Sequence, residues 1–212
     1  MPAERAARWV AGFAERHGPV SATIEPYGHC LVAADGSVAQ CHVTVPPVSG
    51  DRVEDLLAHL TQPRCVAVLL VRLGGYAVGV HDGRDWLATK VGSRPVHGRN
   101  AAGGQSQQRF ARRREGQVRV AQQAAADTAA RVLLPYAARF DAVVTGGERR
   151  SVGAVLADRR LSDLPDRVVP RFLTVPDPRR AVLDMVPTLM RNLHIRVVES
   201  ESSPFDRRGT ER

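Results

Sequence analysis

The chain is poor in lysine, cysteine and aromatic residues, and it has no long hydrophobic run. Of its 30 basic residues only Lys90 is a lysine. Three cysteines with no CxxC pair make neither a disulfide framework nor a zinc ribbon, and their scarcity fits a reducing compartment. With 5 Phe, 3 Tyr and 2 Trp in 212 residues, no aromatic platform for stacking single-stranded bases is evident, so any binding to RNA is expected to rest on phosphate contacts. The longest uninterrupted apolar run, Cys65 to Val71, is seven residues. A membrane-crossing helix needs roughly 18 to 20. The first twenty residues mix Arg and Glu with apolar residues and lack the unbroken apolar centre of a secretory signal. No membrane partner is therefore expected, and the expected location is cytoplasmic.

What the sequence has in quantity is arginine, unevenly placed. The formal net charge is +8, and residues 94–119 carry seven arginines (94, 99, 109, 112, 113, 114 and 119) against one carboxylate, Glu115. That short segment holds six of the eight excess charges, the footprint expected where a polyanion docks.

The chain is long enough for one medium domain, or for one domain with a small companion. Residues 3–17 place Ala6, Trp9, Val10, Phe13, Ala14 and His17 at helical spacing ahead of Gly18-Pro19, which predicts an amphipathic helix. Residues 20–45 read as strand, with Asp35-Gly36 as a two-residue hairpin turn. In that register Cys30 faces Cys41 and His29 faces His42. Successive strand residues point to opposite sides, so the four do not converge as metal ligands; a packed cross-strand cysteine pair is expected and no metal. Residues 51–60 predict a capped helix ending at Gln62-Pro63, where a domain boundary is placed.

Three strands follow, at 65–71, 76–81 and 86–90, mostly antiparallel, with Tyr76 and Trp86 as core residues. Residues 91–104 contain four glycines and a proline without apolar periodicity and predict a mobile basic loop. A long helix over 105–134, a strand at 140–145, a helix at 149–157, a short strand at 172–175, a helix at 179–190 and a strand at 193–198 complete the pattern. This predicts an α/β fold in which a mixed sheet is covered by helices, with a small N-terminal α+β part. The domains expected are 1–62, 63–199 and a disordered tail, 200–212.

Chemistry is concentrated in one stretch, from His97-Gly98-Arg99 through Gly103-Gly104-Gln105 to Arg114. Gly103 and Gly104 lack side chains, which lets the backbone approach a substrate closely. Gln105 does not titrate, so its work is to position a water or to donate an N–H to developing negative charge. Arg109, Arg112 and Arg113 are spaced i, i+3, i+4 and share one helix face, with Arg99 on the loop side. Such a stem holds phosphates while the tip reaches the reacting bond. His97 fits RNA contact better than general-base work.

The run GGQSQQRFARRR resembles the GGQ segment of the middle domain of eukaryotic and archaeal class I peptide-chain release factors. His97-Gly98-Arg99 is similar to that family too, but Asn100 to Ala102 lengthen the loop. This length is more similar to the Vms-type release factors of ribosome quality control and their actinobacterial relatives. The resemblance covers residues 63–199 and implies a release-factor middle domain with a ribonuclease-H-like layout. It implies hydrolysis of peptidyl-tRNA in the peptidyl transferase centre, without a cofactor, on the large ribosomal subunit. Gln105 would then orient the attacking water, with its N–H stabilising the oxyanion, and Gly103 and Gly104 would permit entry. Arg109 and Arg112 would grip rRNA. Residues 1–62 are too short for a stop-codon-reading domain and contain no NIKS-like motif, so rescue of stalled ribosomes is expected rather than codon-dependent termination.

A non-catalytic ribosome- or RNA-binding module using the same arginines is the alternative. A metal-dependent nuclease would need clustered carboxylates. The apolar strand at 65–71 has none, and Asp82, Asp85, Asp141 and Glu148 fall at turns or strand ends.

Overall fold

A computed structural model describes residues 1–94 and 105–200, and of residues 105–111 the backbone alone. It divides into two compact units, one formed by Met1–Gln62 together with the chain from Thr188 onward, the other by Pro63–Pro187.

The first unit begins with helix α1 (Ala3–His17), whose buried residues Ala6, Val10, Phe13 and His17 recur at intervals of three and four. Gly18 stops it, its N–H reaching back to the Ala14 carbonyl at 2.9 Å. Three strands follow, β1 (Val20–Glu25), β2 (Gly28–Ala33) and β3 (Val38–His42), paired antiparallel in sequence order. Helix α2 (Val53–Thr61) is preceded by Arg52, whose N–H donates to the Asp55 carboxylate at 3.0 Å, so Asp55 rather than Asp51 supplies the start signal.

The hairpin between β2 and β3 is one residue out from the expected register. His29 pairs with Cys41, Leu31 with Ala39, and Cys30 with Gln40. The turn is longer by a residue: Gly36 N–H bonds to the Ala33 carbonyl at 3.0 Å, and Gly36 has φ +86°, the conformation of a type I turn closed by a glycine bulge. Burial decides between the registers. In the observed one, buried His29, Leu31 and Ala33 lie on the same side as buried Ala39 and Cys41, whereas the expected one pairs Leu31 with Gln40. The expected cross-strand cysteine pair does not form. Cys41 is buried, and desolvation pushes its thiol up to about 12.

Asp35 also closes this turn, accepting the Ser37 N–H at 2.8 Å and meeting His17 Nδ1 at 2.9 Å. The Ser37 N–H, and then His17, hold its carboxyl below the ordinary carboxylate value. A depressed folded-state pKa gives stability that is present above the unfolded value and lost as pH falls through the folded one. Acid titration of unfolding is therefore expected to show a loss of stability in the native protein below about pH 4, with a smaller loss in Asp35→Asn.

The second unit opens with β4 (Val66–Arg72), β5 (Gly75–His81) and β6 (Trp86–Ser93), antiparallel neighbours. Helix α3 (Gln105–Leu133) follows, then a 3-10 segment (Leu134–Arg139) and β7 (Ala142–Gly147), which lies parallel to β4. The sheet order is β6-β5-β4-β7, a mixed sheet as expected. Small residues on α3 (Ala125, Ala126, Ala129 and Ala130) are buried with Leu69, Val78, Val80 and Val143 in one core. Alanines allow a helix axis to approach a sheet closely. Helix α4 (Arg149–Leu156) adds Val152 and Val155 to the same core. Residues 172–175 contribute only a single bridge, Leu173 to Gly146, instead of the expected strand.

The last strand corrects the expected domain division. Helix α5 (Arg180–Met190) leads to β8 (His194–Val198), which pairs antiparallel with β3 in the first unit's sheet. Leu193 and Ile195 belong to that unit's core with Phe13, Leu31 and Leu56. A five-residue strand has no local signal for its partner, and chain order alone placed it with 63–199. Residues 201–212, read as a tail, lie outside the described residues.

Candidate functional site

Helix α3 is built in two parts with different tasks. From Ala121 onward it carries the buried alanines and Leu133; from 112 to 120 no residue is buried. Arg112, Arg113 and Arg119 are exposed, Arg114 is half-buried, and Val120 is 60% exposed. The whole helix is about 43 Å long at 1.5 Å per residue, and 105–120 make up about 24 Å of it. Ala121, with Val118 and Gln122, lines a small cavity against Leu73, Tyr76 and Ser151. The Thr128 hydroxyl donates to the Tyr76 hydroxyl at 3.2 Å, tying the helix to β5.

Gln105 is the first residue of α3. The first four N–H groups of any α-helix have no acceptor inside it and lie at the positive end of its dipole. The continuous helix keeps positions 109, 112 and 113 on one face. His97, Arg99, Gly103 and Gly104 lie outside the described residues, as does most of the expected loop; its first three residues, 91–93, belong to β6.

Not all arginines of this unit are available to a ligand. Arg160 is held between Asp127 (2.6 Å) and Asp158 (2.7 Å), and its hydrogen bonds keep the Asp158 carboxyl well below the ordinary carboxylate range. Arg180 is occupied by Asp184 at 2.9 Å, and Arg167 by the Ala137 carbonyl at 2.6 Å. Arg149 lies over the Phe172 ring at 4.4 Å. Arg112, Arg113 and Arg119 make no ion pair among the described residues.

Three of the four carboxylates weighed for a nuclease, Asp82, Asp141 and Glu148, are engaged in structure. Asp141 accepts the Cys65 N–H at 2.7 Å, Asp82 the N–H groups of Arg84 and Asp85, and Glu148 the Ser151 hydroxyl at 2.7 Å. Among the described residues no group of three or more His, Cys, Asp or Glu could hold a metal ion.

A cationic helix arm on a mixed α/β unit suits a translation factor, and comparison with known families is decisive. The model of the actinobacteria/chloroflexi VLRF1 release factors matches residues 64–196. The chain belongs to that family. The match covers all of the second unit of this VLRF1-family protein except Pro63 and ends within β8. No curated protein matches it in sequence. Among solved structures, an archaeal translation termination factor, aRF1, is similar over 90% of this chain and 73% of its own, with 14% identity and a TM-score of 0.45. A second archaeal protein is similar over the same shares, with 13% identity and a TM-score of 0.42. No helix among the described residues is long and apolar enough to cross a membrane.

Sequence reading did not find one feature beside this helix. An open cleft at the end of β5 and β6 brings Arg94 together with Asp177 and Arg179. Arg94 was counted in the basic segment, but Arg179 is 85 positions further along, and no local signal links the two.

Proposed function

We propose that this release-factor-family chain is a ribosome-dependent peptidyl-tRNA hydrolase that frees nascent peptides from stalled ribosomes. The observation that carries the reading is the position of Gln105, at the first turn of a helix whose described arm is unburied and cationic. An N–H without an intrahelical acceptor, at the positive helix end, is suited to a tetrahedral oxyanion. In the reaction, water attacks the ester carbonyl, the bond to the terminal ribose oxygen breaks, and the water's proton passes to that oxygen. The products are a peptide acid and free tRNA. Gln105 orients the water, Gly103 and Gly104 give the backbone room, and His97, Arg99, Arg109, Arg112 and Arg113 hold RNA phosphates of the large subunit around the site. No cofactor enters this scheme.

The same arginines would serve a module that binds ribosomes without hydrolysis. Release of labelled peptide from purified ribosome–peptidyl-tRNA complexes with no stop codon in the A site separates the two. Turnover supports the hydrolase; binding without release supports the module.

The phosphate contacts carry their own test. Affinity for ribosomes is expected to fall linearly in log–log form with salt, because each neutralised phosphate releases counterions. Arg112→Ala combined with Arg113→Ala should make that slope shallower by about 1.4 to 1.8, at roughly 0.7 to 0.9 per contact. Filter binding over a salt series reads this directly, and an unchanged slope would remove these two residues from the docking face.

A further inference from the structure

We infer that the cleft at the end of β5 and β6 is a second RNA site, one that holds the sugar-phosphate backbone of a strand of large-subunit rRNA at the base of the α3 arm. Its walls come from distant parts of the chain. The Arg94 N–H donates to the Gly74 carbonyl at 2.7 Å, fixing the end of β6 against the β4–β5 turn. Across from it, Arg72 donates to the Val175 carbonyl at 3.0 Å and faces Asp177 at 3.6 Å, which seats the segment carrying Pro178 and Arg179. Gly74, Gly75 and Gly92 line the cleft and put no side chain into it. A Cβ on Gly92 would meet the Tyr76 ring at 2.4 Å, so that position admits nothing larger, whereas one on Gly75 would make ordinary contact with Pro178 at 3.6 Å.

The charges are unequal. Among the described residues Asp177 is the one carboxylate lining the cleft, and Arg72 stands against it. Arg94 and Arg179 are both exposed and make no ion pair among the described residues. Two unopposed guanidiniums over bare glycine backbone suit an anion that is repeated along a chain and needs close approach, which is the chemistry of a phosphodiester backbone. The cleft volume of about 540 Å³ exceeds what a single phosphate fills.

The place in the fold identifies the strand. Val118 of α3 and Gly74 line one small cavity next to the cleft, and Gln105 lies 13 helical residues from Val118, about 20 Å. Under the release reading, on which the source of the RNA rests, the arm tip is at the peptidyl-tRNA ester. Its base then faces the rRNA that walls the centre rather than the tRNA terminus.

The test is filter binding of the full-length protein to isolated large ribosomal subunits, and separately to deacylated tRNA, over a salt series. The variants are Arg94→Gln with Arg179→Gln, and Arg84→Gln as a charge control on the exposed hairpin at the opposite end of the same strands. For subunits, the double variant should lose about 1.4 to 1.8 from the slope. The control should leave the slope unchanged, and tRNA binding should be equal for all three proteins. A slope equal to that of the native protein, or a loss confined to tRNA, would overturn the assignment. Hydrolysis is not needed for this readout. A protein that shows the slope change but releases no peptide would defeat the release reading and leave the cleft standing.

Discussion

Gln105→Ala is expected to lower peptide release from stalled ribosome complexes by about 100-fold or more while ribosome affinity stays within about twofold, on the scale set by misplaced reactants and lost oxyanion donors. The side chain is the only part removed. The alanine N–H remains at the first position of α3, so oxyanion stabilisation by the backbone is retained and the deficit measures the positioning of water. Alanine is also the best helix former, which keeps the arm helical from its first turn. Single-turnover release, with binding measured in parallel, gives both numbers. Release within a factor of two of the native protein would show that the amide does not orient the nucleophile. A parallel loss of affinity would show that it acts in docking.

Ala129→Asp should have the opposite signature, losing binding and release together. Ala129 is fully buried in the core formed by α3 with β4, β5 and β7. A carboxylate there has no hydrogen-bonding partner designed for it and is costly in either protonation state. The expected destabilisation is above about 3 kcal/mol, in the range of uncompensated buried charge. The arm has no buried residue of its own from 112 to 120, so it stays in place only while the alanine face behind it is packed. The first unit has a separate core around Phe13, Leu31, Leu56 and Leu193. Hydrogen exchange should therefore show protection lost in β4, β5 and β7 but kept in β2 and β3. Native-like protection throughout would mean that α3 tolerates a charge on this face and that its seat is looser than the packing implies.

The arm and its anchor illustrate what could be read without coordinates. The clustering of seven arginines in residues 94–119, the glycine pair before Gln105 and the helix that follows are local facts of composition and spacing. The period of Ala121, Ala125 and Leu133 gives the buried face directly. The strand and turn signals from 65 to 90 mark β4, β5 and most of β6, and Gly18-Pro19 marks the end of α1. These signals act over a few residues, where backbone geometry dictates which side chains share a face.

Longer-range choices were not legible. The register of β2 and β3 turned on whether the hairpin closes with two residues or three; the motif Asp35-Gly36 suits both, and only the burial of Leu31, Ala39 and Cys41 against α1 and α2 selects the second. Strand β8 could join any sheet edge with a free hydrogen-bonding side, and it joined β3, far earlier in the chain. The pairing of Arg94 with Arg179 follows from how the segment 175–179 folds onto the end of β4. The sequence by itself determined most of the elements, the charge and the helix that begins at Gln105, because each depends on neighbours along the chain. The tertiary structure alone decided which strands pair, which arginines are spent on Asp127, Asp158 and Asp184, and which make no ion pair among the described residues. Those outcomes depend on burying apolar surface between residues far apart in the chain, a condition that no local pattern encodes.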